Sequence, residues 1–276
     1  MTTFIIAEGG SCHDGSLDKA LQIVEVAAAA GASACKFQFW SSAERLAARR
    51  QSGPTYEEIY RRYTVPAEWL PILKGACDGV GLAFMSTCYL PEDIAVVDPF
   101  VDHFKVASFE AADMGFIRAH YQFLYNQNRW LIVSTGLQGD DTLSPLMAER
   151  SAAAQRGALS VTLKLLHCVS AYPAPVSSLA LRQIRTMGFD GFSDHAAAGW
   201  IASGAVAVAL GARILEVHIR PETMDENNPD APHALRPGQF RRYVQHVRMA
   251  EAAIGDEPWR RHNPAEDAMR QYKVKP

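Results

Sequence analysis

FIIAEGGSCHDGSLDKALQIVEVAAAAGASACKFQF, residues 4–39, reads as strand, helix, strand. FIIAE (Phe4–Glu8) is a short apolar run that closes on an acid. Ser16–Ala30 has helical periodicity, and Gly31 suits its stop because glycine takes the left-handed backbone without a Cβ penalty. ACKFQF (Ala34–Phe39) is a second apolar run with a lysine inside it. Strand, helix and strand in this order make a βαβ unit, which predicts parallel neighbours in a sheet.

The alternation continues outward from this unit. LAFMS (Leu82–Ser86), DHFKVAS (Asp102–Ser108), WLIVST (Trp130–Thr135), TLKLLHC (Thr162–Cys168), FDGFSD (Phe189–Asp194) and RILEVHI (Arg213–Ile219) are further strand-like runs. Helical stretches fall near Pro66–Val80, after Pro91, from Asp113, near Ser144–Gln155, from Ser177, at Gly199–Leu210 and near Pro237–Ile254. A long, polar, Arg-rich connection follows the second strand. Eight units close a barrel, whereas open doubly wound sheets stop at about five or six strands. The predicted fold is therefore α/β, a single-domain (β/α)8 barrel of the TIM type over residues 1–255. Residues 256–276 are a polar, Pro-containing tail that reads as a linker or docking arm.

The length of 276 residues suits one such barrel, and 48% hydrophobic residues can fill its core. A net charge of −3 argues against general nucleic-acid binding, which needs a basic face. The pairs Arg49-Arg50 and Arg61-Arg62 are expected on solvated helix faces. The five cysteines have no CxxC spacing, and the N-terminus lacks a signal-peptide pattern; both predict a reduced, cytoplasmic setting. The apolar stretch Trp200–Leu210 is too short to span a bilayer, so no membrane partner is expected.

Catalytic groups of such barrels project from the C-terminal ends of the strands. Here those ends carry Glu8, Lys36 and Gln38, Ser86 and Thr87, Lys105 with Ser108 and Glu110, and Ser134 and Thr135. They continue with His167, Cys168, Ser170 and Tyr172, then Ser193, Asp194 and His195, then Glu216 and His218. Lys36 and Lys105 each sit inside an apolar run, and a buried ammonium needs a partner. That partner is either a protein carboxylate or a bound phosphate or carboxylate. The convergence of Thr87, Ser108, Ser170 and Ser193 on the same rim favours the anion. A Schiff-base lysine is the rival role. His195 and His218 end neighbouring strands, and two imidazoles with water and a substrate oxygen suit a borderline divalent ion such as Mn, Fe, Co or Zn.

These motifs resemble the sialic acid synthase family, which includes N-acetylneuraminate, legionaminate and pseudaminate synthases. IIAEGGSCHDGS resembles the family opening IAE-x-G-x-NH-x-G, with CHDG at Cys12–Gly15 in place of NHNG. KFQ at 36–38, FMSTC at 84–88, KVASFE at 105–110, STG at 134–136, LLHCVSAYPAP at 165–175, FSDH at 192–195 and EVHI at 216–219 follow in order. The resemblance runs from Phe4 to Ile254, and KVASFE leans toward the pseudaminic and legionaminic branch.

The resemblance implies condensation of phosphoenolpyruvate with an N-acyl amino sugar or related aldehyde, giving a 2-keto-3-deoxy sugar acid and phosphate. It implies that Lys36, Thr87, Lys105, Ser108, Ser170 and Ser193 hold phosphoenolpyruvate. His195 and His218 would bind the metal, manganese first, with magnesium, cobalt, iron or zinc as alternatives. Gln38 and Tyr172 would face the sugar together with Glu8 and Glu110, of which Glu110 is the first choice for handling protons and Glu8 the second. The family's PGPD appears as NNPD, which keeps Asp230 as a sugar-hydroxyl partner, whereas His233 falls on a position that is not a ligand in the family and is excluded. A homo-oligomer, as a homodimer, is expected.

Family members also carry a C-terminal antifreeze-like domain that contributes an arginine to the partner's acyl-sugar site. The sequence stops at Pro276, where that domain would begin. Ser41–Thr64, with Pro221–Pro232, is therefore expected to form a substitute lid and to redirect acceptor choice. The rival functions are a metal- or Schiff-base-dependent pyruvate aldolase and a non-catalytic barrel acting as a binding subunit.

Overall fold

Successive residues of a strand face opposite sides, so a strand that is apolar throughout has two buried faces. All eight runs form strands of this kind in the computed structural model, which describes residues 2–124, 129–155, 162–255 and 263–274. The strands are β1 (Phe4–Glu8), β2 (Ala34–Phe39), β3 (Ala83–Cys88), β4 (His103–Val106), β5 (Trp130–Ser134), β6 (Thr162–Cys168), β7 (Gly191–Asp194) and β8 (Ile214–His218). They pair in parallel, each with the next, and β8 returns to β1 to close the barrel. The register sets Glu8 beside Lys36 and His218, Thr87 beside Lys105, and Ser193 beside Glu216.

The helices wrap the outside. They are α1 (Leu17–Ala30), α2 (Ala43–Arg49), α3 (Pro54–Tyr63), α4 (Trp69–Gly79), α5 (Asp93–Val97), α6 (Met114–Ala119), α7 (Asp140–Gln155), α8 (Arg182–Met187), α9 (Ser203–Ala209) and α10 (Pro237–Ile254). The larger core lies between strands and helices, where Ile5, Phe37, Phe84, Phe104, Phe192 and Leu215 meet Ile23, Leu73, Ile117 and Phe240. A second, smaller core plugs the barrel itself: Ile6, Ala34, Met85, Ile132, Leu166 and Ile214.

Two residues further along five of these six strands the same inward face turns polar. Ile6 is followed by Glu8, Ala34 by Lys36, Met85 by Thr87, Ile132 by Ser134 and Ile214 by Glu216. The apolar plug therefore becomes the floor of a polar basin at the C-terminal rim.

The connection after β2 differs from its expectation as a polar loop. It folds into α2, whose first turn is capped by the Ser42 hydroxyl accepting from the Arg45 amide, and α3, which Pro54 starts behind Gly53. Ala43, Leu46 and Ala47 in α2, all buried, and Tyr56, Ile59, Tyr60 and Tyr63 in α3, of which Tyr63 is buried, do follow helical spacing, but short helices whose intervening positions are charged read as one polar connection. β4 ends at Val106 rather than Ser108, because Ser108–Glu110 turns into a 3-10 segment closed by the Glu110 amide on the Ala107 carbonyl. Beyond α10, Pro264–Tyr272 forms an exposed 3-10 run; positions 256–262 and 275–276 of the tail lie outside the described residues. All five cysteines are free and buried. Among the described residues no helix is long and apolar enough to cross a membrane.

Candidate active site

The basin floor is a buried charge network. Lys36 Nζ is ion-paired with Glu8, donates to Thr87 Oγ1 at 2.6 Å and lies 3.3 Å from Glu216 Oε1. Lys105 Nζ donates to the Val106 carbonyl at 2.9 Å and has a carboxylate oxygen, Glu216 Oε2, at the longer distance of 3.6 Å. Ser193 Oγ donates to that same oxygen at 2.6 Å. Protein carboxylates thus supply counter-charge to Lys36, whereas Lys105 is less fully paired. The electrostatics follow. Burial opposes charge on Lys36, but Glu8 and Glu216 hold it above the usual lysine range. Burial pushes Lys105 down, and Glu216 offsets this in part. Burial also opposes charge on Glu216, yet Lys105 and Lys36 hold its carboxyl well below the usual range.

The opposite side of the basin is lined by imidazoles. His195 Nδ1 faces the Val169 carbonyl at 2.9 Å, so it must carry the proton and donate. Ser193 spends its hydroxyl proton on Glu216, which leaves the His195 Nε2 lone pair unshared. His218 Nδ1 lies 3.2 Å from Asp230 Oδ2, a carboxylate–histidine contact of the kind that orients metal ligands. Imidazoles bound to one ion at about 2.1 Å have ring centroids no more than about 6.5 Å apart. The His195 and His218 rings stand 5.8 Å apart at 67°, so this pair fits a divalent ion. Burial, then His218, pushes His195 down to about 4, which keeps it neutral near pH 7. Gly10 lets this cluster close up: it has φ +48°, and a Cβ there would collide with the Asp230 carboxylate and come within 2.9 Å of His218 Nδ1.

The mouth is walled by the segment after β2. Arg50 Nε donates to Glu110 Oε1 at 2.8 Å, and the guanidinium lies over the rings of Tyr89 and Phe109 at 4.7 and 4.9 Å. Its side chain is 19% exposed, so the expectation of a solvated Arg50 is overturned; Arg61, by contrast, is exposed and bridges Glu44 and Glu57. Together these elements enclose a cavity of about 480 Å³, a size typical of small-molecule sites.

Glu8, Lys36, Gln38, Thr87, Lys105, Ser108, Tyr172, Ser193, His195, His218 and Asp230 all line the cavity. Glu110 and Ser170 do not. Glu110 turns to Arg50, its other oxygen buried without a hydrogen-bond partner among the described residues, and Ser170 shares a 2.7 Å hydrogen bond with Ser108. Glu110 therefore stands one residue back from the place expected of a proton-transfer group.

Residues 23–258 match the NeuB family. The chain belongs to this family. Pseudaminic acid synthase of Campylobacter jejuni is 31% identical over 271 residues, covering 92% of this chain and 75% of that protein. The spore coat polysaccharide biosynthesis protein SpsE of Bacillus subtilis is 32% identical, covering 91% of this chain and 68% of the relative. A crystal structure of N-acetylneuraminic acid (sialic acid) synthetase from Leptospira borgpetersenii covers 99% of this chain and 91% of its own with a TM-score of 0.83. At 23% identity it shows the shared barrel.

Three residues at this NeuB-family site were missed or set aside in the sequence. Glu216 was seen as a strand end but given no role; counting by two from Ile214 would have placed it inward. Arg50 gave no periodic signal. His233, excluded by motif position, lines the cavity with its ring 4.6 Å from that of His218.

Proposed function

We propose that this chain condenses phosphoenolpyruvate with an aldose, an N-acyl amino sugar or a related aldehyde, to give a 2-keto-3-deoxy sugar acid and inorganic phosphate. The observation that carries the reading is the pairing of two buried lysines on the basin floor with two imidazoles across from them. Family membership and the named synthases among the relatives point the same way.

The reactants divide between the two sides. Lys105, the less satisfied ammonium, and Lys36 take the phosphate and carboxylate of phosphoenolpyruvate, with Thr87, Ser108 and Ser193 donating hydroxyls. Gln38, Tyr172 and Asp230 face the sugar. Held so, C3 of the enol bonds to the aldehyde carbon in a fixed geometry. Water adds at C2, and the tetrahedral centre loses phosphate by C–O cleavage. Glu8 lines the cavity and takes the proton-handling role, while Glu110 positions Arg50. A divalent ion on His195 and His218, manganese first, would supply Lewis-acid stabilisation of the developing alkoxide. A homo-oligomer is part of this reading.

The test is phosphate release from phosphoenolpyruvate with manganese across a panel of acceptor aldoses. Burial pushes Lys105 down, toward the neutral amine that a Schiff-base aldolase needs, so that rival is run in parallel. Borohydride trapping with pyruvate, without phosphate release, would replace the synthase reading by the aldolase.

A further inference from the structure

We propose that His233 and Asp230 are further protein ligands of the ion assigned to His195 and His218, so that the metal site extends beyond a histidine pair. This rests on the metal part of the functional reading.

The donors are brought together by one backbone turn. The amides of His233 and Ala234 both donate to the Asp230 carbonyl, at 3.1 and 2.8 Å, so the side chains of 230 and 233 emerge on the same side. Asp230 Oδ2 is engaged by His218 Nδ1 at 3.2 Å, which leaves His218 Nε2 for the ion, while Asp230 Oδ1, 3.7 Å from His233 Nε2, is the carboxylate oxygen open to it. Donors bound to one ion at about 2.1 Å are themselves about 3–3.5 Å apart. One ligand atom from each of His218, Asp230 and His233 lies within 4.8 Å of the others. The His218 and His233 rings, 4.6 Å apart, meet the same geometric limit as His195 and His218.

A core histidine would explain the packing of His233 against Tyr172 but not its polar atoms. His233 is 2% exposed, and both ring nitrogens are buried with no hydrogen-bond partner. Buried polar atoms are nearly always paired, and leaving one unpaired is costly. A cation in the basin satisfies a lone pair that no described residue satisfies. The donor set, imidazole and carboxylate with positions left open, suits Mn, Fe, Co or Zn over Mg.

The experiment titrates the substrate-free 276-residue chain with Co(II) and Mn(II) by calorimetry and records the Co(II) visible spectrum. His233→Ala should weaken Co(II) binding on the order of 10–100-fold, the range that even an outer-shell partner commands, and should change the spectrum. His233→Gln and Asp230→Asn, with circular dichroism as a check of folding, should move both readouts in the same direction. Unchanged affinity and spectrum in folded His233→Ala and His233→Gln would overturn the proposal while leaving the histidine pair standing. Failure of the unsubstituted chain to take up either ion would remove the metal reading altogether, and this proposal with it.

Discussion

Lys36 and Lys105 line one cavity and look equivalent in sequence, yet their surroundings predict different consequences for the same substitution. Lys36 is paired with Glu8, Glu216 and Thr87; Lys105 reaches a backbone carbonyl and a carboxylate at 3.6 Å. Replacing Lys36 by Ala strands Glu8 beside Glu216 on the floor of the basin. Removing one partner of a buried pair costs about 3–5 kcal/mol of stability, with the low end expected because Glu8 keeps the Gln38 amide and the Gly10 N–H. Replacing Lys105 leaves Glu216 with Lys36 and Ser193, so the structural loss is smaller, whereas the charge free to meet a ligand is gone. Losing one partner of a ligand charge pair costs about 2–5 kcal/mol, or roughly 30-fold to a few thousand-fold in affinity. Urea denaturation should rank Lys36→Ala below Lys105→Ala in stability, and calorimetry should rank Lys105→Ala as the weaker binder of phosphoenolpyruvate. Unchanged affinity in both variants would mean that the lysines are structural and would refute the assignment of the basin to an anion.

Dialysis against a chelator should abolish turnover and manganese should restore it, while His195→Ala or His218→Ala should remain folded by circular dichroism yet show no metal-dependent phosphate release. Gly10→Ala forces a Cβ toward Asp230 and His218 at positive φ, a strain of about 1–3 kcal/mol, and should lower both the thermal midpoint and metal affinity. Arg50→Ala should raise KM for the aldose with little change in phosphoenolpyruvate affinity, because a charged hydrogen bond of about 1.5–3 kcal/mol is lost at the mouth and not at the floor; equal loss for both substrates in steady-state kinetics would count against it. Burial pushes His120 down to about 4, so its contribution to stability is full above the unfolded value of 6.5 and is lost as pH falls toward 4. Comparing urea midpoints at pH 7.5 and 5 should show an acid loss that His120→Gln flattens, by about 2 kcal/mol over this interval.

The barrel was legible because its determinant is local and repeated. Eight apolar runs alternate with helices, and the same period of two that makes each run a strand also decides which residues face inward. Reading that period from Ile6 and Ile214 accounts for Glu8 and Glu216 as well as for the plug beneath them. What stayed hidden depends on contacts between segments far apart in the chain. Arg50 looked like one more surface arginine because nothing near it announces Glu110, sixty positions on, or the rings of Tyr89 and Phe109 that shield it. Glu110 is the complementary case: its position just past a strand end places it at the rim, and its partner Arg50 turns it away from the cavity. His233 makes the same point from the other side. Motif position argues against it, since Asp230 sits in the family register and His233 does not, yet a single turn places its ring beside His218. Motifs that identify the barrel do not by themselves identify its ligands.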